Sequence, residues 1–257
     1  MSKTIASIAL TSVLAVALPS IAHGAQCTAR SPTITVALVE LYTSQGCSSC
    51  PPADEWLSRL RKSQPNAAVL PLSMHVNYWD YIGWKDPYAQ QKFTDRQHSL
   101  TRQQGLRSSY TPQVVLSAGD YRDWWDEKAF AQDVAKINRQ PAAALIDIEA
   151  SEGTVAGQVK VSGKAKTAVT EPADLYLAVF ENSIVNKVAR GENAGSTLKH
   201  EHVVRNWLGP FPIKDGQASI EDSVKVLATK QPASLGLAAF VQTKSGKVLQ
   251  AVGCDLR

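Results

Sequence analysis

Gly46-Cys-Ser-Ser-Cys50 follows a run that is nearly all β-branched or apolar, Thr33-Ile-Thr-Val-Ala-Leu-Val-Glu-Leu-Tyr42, and leads into a helical pattern. This junction constrains the fold more than any other feature of the chain. A run with so little alternation is buried on both faces, as strands are inside α/β sheets. Beyond the dithiol, Trp56, Leu57 and Leu60 make one apolar stripe. Asp54 and Glu55 lie early in that segment and Arg59, Arg61 and Lys62 late, complementing the helix dipole. Pro51 disfavours helical geometry at Cys50, which places the helix start at Pro51 with Cys50 as its cap.

Further elements follow in order. Ala68 to Val76 reads as a second strand in which Pro71 leaves one ladder bond unmade. The aromatic loop Asn77-Tyr-Trp-Asp-Tyr-Ile-Gly-Trp84 comes next. Asp86-Pro87 then opens a helix that runs to Gln104 and ends at Gly105. Thr111 to Leu116 is a strand, Ala118-Gly-Asp120 a turn, Tyr121 to Trp124 a short return, and Lys128 to Asn138 a helix. The order β-α-β-α-β-β-α is an α/β layer pattern. After Pro141 the character changes to strand-like runs at 144–149, 154–161, 175–180, 235–243 and 248–252, with Ser245-Gly246 as a hairpin turn. The expected organisation is an α/β domain over 26–140, with a helical insertion around 77–107, and a small mainly-β, sandwich-like domain over 141–257.

Residues 1–25 have the form of an export signal: Lys3, an apolar run from Ile5 to Leu18, then small residues at Ala22, Gly24 and Ala25. That run is too short for a bilayer span of about 20 residues. The formal charge of +4 falls by one when Lys3 is removed, and the cations are scattered, so nothing marks a nucleic-acid footprint. Export points to the periplasm or the cell exterior, where disulfides persist. The remaining cysteines, Cys27 and Cys254, lie near the two ends of the mature chain and are expected to form a structural disulfide.

Two cysteines three apart at a helix start close a disulfide with little backbone movement. Helix-start N–H groups favour a thiolate, the attacking species, so Cys47 is the expected nucleophile and Cys50 the resolving thiol. Three readings stand for the pair: redox-active, structurally inert, or metal-binding with His75 as a third ligand for copper or zinc. No second Cys-X-X-Cys completes a zinc site. His200 and His202 are placed to share one face of a strand. Trp79 and Trp84 either wall a groove beside Cys47 or pack beneath the helical insertion. Gly191 to Gly195 lacks the context of a phosphate loop and reads as a turn.

The buried strand, Cys47-Ser-Ser-Cys50, helix, strand, helix and then Thr111-Pro112 opening a strand resembles the thioredoxin superfamily. That resemblance implies a thioredoxin-like domain, a cis bond before Pro112, and substrate binding by Pro112 and the backbone of Thr111. It also implies a buried acid at Glu40 that moves protons for the resolving thiol. Gly46, in place of an aromatic residue, and Ser48-Ser49 depart from the pattern. More narrowly, four stretches resemble an uncharacterised family of secreted bacterial thioredoxin-like proteins, a domain of unknown function. They are Val39-Glu-Leu-Tyr-Thr-Ser-Gln-Gly-Cys-Ser-Ser-Cys-Pro-Pro-Ala-Asp54, His75-Val-Asn-Tyr-Trp-Asp-Tyr-Ile-Gly-Trp-Lys-Asp86, Tyr110-Thr-Pro-Gln113 and Gly191-Glu-Asn-Ala-Gly195. The expected function is an exported thiol–disulfide oxidoreductase acting on protein, peptide or small thiols without a cofactor. The alternatives are a non-catalytic binding module with a structural dithiol and a copper or zinc metallochaperone.

Overall fold

The structure, a computed structural model, describes residues 25–63, 68–155, 157–226 and 235–257. The segment expected to be an export signal, residues 1–25, lies outside them except for Ala25. In chain order the elements begin β1 (Gln26–Arg30), β2 (Ala37–Thr43), α1 (Pro51–Ser63), β3 (Val69–His75), α2 (Gln91–Gln103), β4 (Gln113–Leu116), β5 (Gly119–Asp120) and α3 (Glu127–Asn138). They continue with β6 (Ala144–Glu152), β7 (Gln158–Thr167), β8 (Ala173–Glu181), β9 (Ile184–Lys187), β10 (Thr197–His200) and β11 (Val203–Pro212). The last three are β12 (Gln217–Lys225), β13 (Leu235–Thr243) and β14 (Val248–Asp255).

The expected fold class does not hold. Among the described residues the chain is mainly β, with fourteen strands and three α-helices, and its strands do not form an α/β thioredoxin-like domain followed by a separate small sandwich. Eight strands join in one sheet of order β14-β13-β8-β11-β3-β2-β4-β5, which draws on residues from both sides of residue 140. The link is β11, which lies between β8 and β3. Its sequence, Val-Val-Arg-Asn-Trp-Leu-Gly-Pro-Phe-Pro, has no long apolar run and two register shifts against β8, so periodicity does not mark it as a central strand.

All seven residues of β2 are buried, which explains its unbroken apolar composition. Alternate side chains serve two cores. Ala37, Val39 and Leu41 pack with Ala53, Trp56, Leu57 and Leu60 of α1 and with Phe130 and Val134 of α3. Leu38 and Tyr42 point to the opposite face, with Leu72, Met74, Phe180, Phe240 and the α2 residues Phe93 and Leu100. A four-stranded sheet, β1-β6-β7-β12, covers the rest of the α1 face. There Ile146, Ile148, Val159 and Val161 meet Leu175, Leu177, Val179, Leu237 and Val241. Fully burying one such side chain contributes about 1.5–3 kcal/mol, so this interface holds the two sheets firmly together.

Pro71 sits in the middle of the eight-stranded sheet without harm. The amide of Ser73 donates to His202 O at 2.8 Å, and the amide of residue 71 would point the same way. The pairing of β11 with β3 is confined to Val203 and Ser73, so no ladder partner is lost at Pro71. The helix expected from Asp86 starts later, at Gln91, after a single turn in which Asp86 Oδ1 accepts the Tyr88 amide and Asp86 O the Ala89 amide.

Candidate functional site

The segment from Ser44 to Cys50 is a tight turn. Cys47 N donates to Ser44 O at 3.1 Å and Cys50 N to Cys47 O at 3.2 Å. Helix α1 begins at Pro51, and the Cys50 carbonyl accepts the amides of Ala53 and Asp54, which makes Cys50 the cap residue. Cys47 and Cys50 form a disulfide with Cα atoms 5.4 Å apart. The structure brings Thr111 to this bond: its hydroxyl donates to Cys47 Sγ at 3.3 Å and accepts Trp79 Nε1–H at 2.7 Å. The Thr111–Pro112 peptide is cis, as the resemblance implied.

A separate hairpin, β9 with β10, lies over the turn. Asn193, in its connecting loop, donates from Nδ2 to Gln45 O at 3.0 Å and to Cys47 O at 2.9 Å. Glu192 Oε2 accepts the Ser48 amide at 3.0 Å. Cys47 is 1% exposed and Cys50 0%, while Ser48 and Ser49 between them are exposed.

Beneath the turn is a buried polar cluster. His75 Nδ1 donates to Asp86 Oδ2 at 2.6 Å, and that oxygen also accepts the Gln45 amide at 2.8 Å. Burial alone would lower the His75 pKa, but the charge of Asp86 and its hydrogen bond outweigh this and raise it. Burial would likewise raise the Asp86 pKa, yet His75 and the Gln45 and Tyr88 amides hold it below the usual carboxylate value. The indole of Trp84 can only donate, and its 3.1 Å bond fixes Gln45 Oε1 as the acceptor, joined by Asn186 Nδ2 at 2.7 Å. Gln45 Nε2 therefore donates to His200 Nε2 at 3.1 Å, and the His200 proton resides on Nδ1, 3.8 Å from Asp54 Oδ2. Asp54 lies one turn beyond Cys50 on α1 and accepts the Thr43 hydroxyl at 3.2 Å.

Other expected residues lie elsewhere. Glu40 is not brought to the dithiol: by alternation it faces the α2 side of β2, where Arg96 grips both its oxygens at 2.6 and 3.0 Å. Cys27 and Cys254 form the expected disulfide, which ties β1 to β14. A cavity of about 310 Å³, lined by Val36, Leu70, Phe180, His202 and Cys254 among others, adjoins that bond rather than the dithiol. His200 and His202 do not share a strand face, since His202 takes a left-handed conformation with φ 57° beyond the end of β10. Among the described residues no group of three or more His, Cys, Asp or Glu is placed to hold a metal ion.

Trp79 and Trp84 are half-buried and hydrogen-bonded to Thr111 and Gln45, so each positions a residue of the site. Sequence reasoning did not assign Gln45, Asp54, Asp86, Asn193 or His200 to this place. Asp86 and Asn193 stand inside the stretches 75–86 and 191–195, where local sequence signals only a helix cap and a turn.

Residues 38–242 match the profile of a family described as protein of unknown function (DUF1223). No curated protein matches the chain. The chain is similar to a crystal structure of a protein from Agrobacterium tumefaciens at 27% identity, with 85% of this chain and 94% of that one covered and a TM-score of 0.58. A further similarity, to an alkylpurine DNA glycosylase of Pseudomonas fluorescens, has 14% identity and a TM-score of 0.21 over 39% of this chain and 26% of that one.

Proposed function

The chain belongs to the DUF1223 family, and we propose that it is an exported thiol–disulfide oxidoreductase whose Cys47 exchanges disulfides with protein or small thiols. The observation that carries this reading is the placement of the Cys47 sulfur, which is half of a disulfide at the start of α1 and accepts the Thr111 hydroxyl at 3.3 Å. A hydrogen bond donated to a sulfur stabilises its thiolate. Thr111 thus stabilises Cys47 as attacking and leaving group, and substrate binding falls to Thr111 and Pro112, as the thioredoxin resemblance implies. Export is supported by the leader-like composition of residues 1–25 together with two disulfides.

In the exchange, a substrate thiolate attacks Cys47 Sγ, the Cys47–Cys50 bond breaks, and Cys50 leaves as a thiolate that takes up a proton. A second substrate thiolate then attacks the mixed disulfide, and Cys47 leaves as a thiolate. The substrate has lost two electrons and the protein holds a dithiol. The reverse sequence reduces a substrate disulfide, and the redox potential sets the direction.

Burial of both sulfurs favours a second reading, a structural dithiol in a non-catalytic binding module. Insulin reduction in the presence of dithiothreitol separates the two. Turnover that disappears in Cys47→Ser supports exchange. An intact Cys47–Cys50 bond after prolonged native exposure to dithiothreitol, with no turnover, assigns it to structure.

A further inference from the structure

The β9–β10 hairpin sits on the site without belonging to either large sheet. Its loop is self-contained: Val188 N donates to Ser196 O at 2.9 Å, Gly195 N to Val188 O at 2.8 Å, and Ser196 N to Asn193 O at 3.1 Å. Gly191, with φ 76°, turns the chain against Trp84, where an added Cβ would lie 3.1 Å from the Trp84 Cβ. This loop therefore presents Glu192 and Asn193 to the dithiol turn as a preformed unit.

Both legs of the hairpin end in left-handed residues, Ser183 with φ 59° before β9 and His202 with φ 57° after β10. Side chains cross between these ends: Ser183 N donates to Glu201 Oε2 at 2.8 Å and His202 N to Asn182 Oδ1 at 3.0 Å. The two legs are thus tied together at a short neck where both backbones change direction, which suits movement as one body. The outer side of the hairpin is exposed at Val185, Lys187 and Lys199, while Ile184, Val188 and His200 are buried on the side that faces the site.

At the other end the strands meet the turn at Gln45, through Asn186 at 2.7 Å and His200 at 3.1 Å, and three further hydrogen bonds hold the loop to the turn. Two come from Asn193 to the Gln45 and Cys47 carbonyls, and one runs from the Ser48 amide to Glu192. Two of the three grip the residues that carry and flank the reactive bond. A thiolate must approach along the line of the S–S bond, and a sulfur that is 1% exposed offers no such path.

We propose that the β9–β10 hairpin is a hinged clasp that closes the Cys47–Cys50 disulfide to external thiols, with Asn193 and Glu192 as its latch. The inference deepens the oxidoreductase reading, on which it rests, by assigning regulation of access to the same bond. Closed, the clasp shields Cys47 from any thiol reagent. Open, it leaves Cys47 facing Thr111 and the exposed Ser48-Ser49 rim.

The test is the rate at which dithiothreitol reduces the Cys47–Cys50 bond in the mature, full-length protein, followed by alkylation and mass spectrometry. Asn193→Ala removes two latch bonds and should speed reduction on the order of tenfold, and Glu192→Ala removes one and should give a smaller rise. Amide exchange at Ser48 should quicken in both. Reduction rates within about twofold of wild type in both variants overturn the clasp. Glu192 is exposed and bonds only at the rim, so if Asn193→Ala fails to fold, Glu192→Ala decides the question alone. Faster reduction with no insulin turnover in any form would keep the clasp and remove the oxidoreductase reading, and normal turnover with unchanged reduction rates would do the opposite.

Discussion

Arg96→Met should destabilise the protein by about 3–5 kcal/mol, the usual result of stranding a buried charge. The Glu40 side chain is 0% exposed and that of Arg96 11%, so water offers the carboxylate almost no replacement for its partner. Arg96 makes a fork of two bonds, 2.6 and 3.0 Å, and its guanidinium stacks near Tyr176, Trp207 and Phe240 at 5.4, 4.8 and 5.1 Å from their ring centres. Methionine keeps the apolar packing among those rings, so the loss reports electrostatics and not a cavity. The assay is urea unfolding of wild type, Arg96→Met, Glu40→Gln and the double variant. The double variant should recover much of the loss, since removing both partners leaves no uncompensated charge. Because Glu40 faces away from α1, Glu40→Gln should leave dithiol exchange unchanged. A single-variant loss below about 1 kcal/mol would falsify the account of the pair. A fall in exchange rate in Glu40→Gln, with stability intact, would return Glu40 to the chemistry.

Two further outcomes are expected. The His75–Asp86 pair contributes stability that is full below the unfolded histidine value of 6.5 and is lost as pH rises through the raised folded value. On the acid side the Asp86 contribution is present above its unfolded value of 3.8 and is lost as pH falls through the lowered folded one. Urea midpoints should therefore decline above pH 6.5, and His75→Gln should flatten that limb; equal slopes in the two proteins would refute the assignment. Replacing Cys27 and Cys254 with alanine opens a loop spanning 227 positions, and the chain-entropy relation gives a loss of about 5 kcal/mol. Calorimetry of the double variant checks this, and an unchanged melting temperature contradicts it.

The local chemistry of the dithiol was legible in the residues themselves. An unbroken apolar run reads as a doubly buried strand, Pro51 suits the first position of a helix, and two cysteines three apart at that point can close on each other. The Cys27–Cys254 bond was also within reach as an expectation, because the close pair Cys47 and Cys50 leaves an outlying pair and an even count favours pairing. These are inferences about short segments, where covalent geometry and burial act directly.

The rest depended on which segments meet. Leu175 to Phe180 and Leu235 to Thr243 have the composition of a sandwich in either arrangement, and only the pairing of β11 with both β8 and β3 shows that they extend the sheet containing β2. Asn193 and His200 reach the site across 146 and 155 positions of chain, with no local signal of their destination. Composition and period fix what a segment can become, because they act through neighbouring residues. The partner across a sheet, and therefore whether a sulfur is open or covered, is settled by long-range packing that no window of sequence contains.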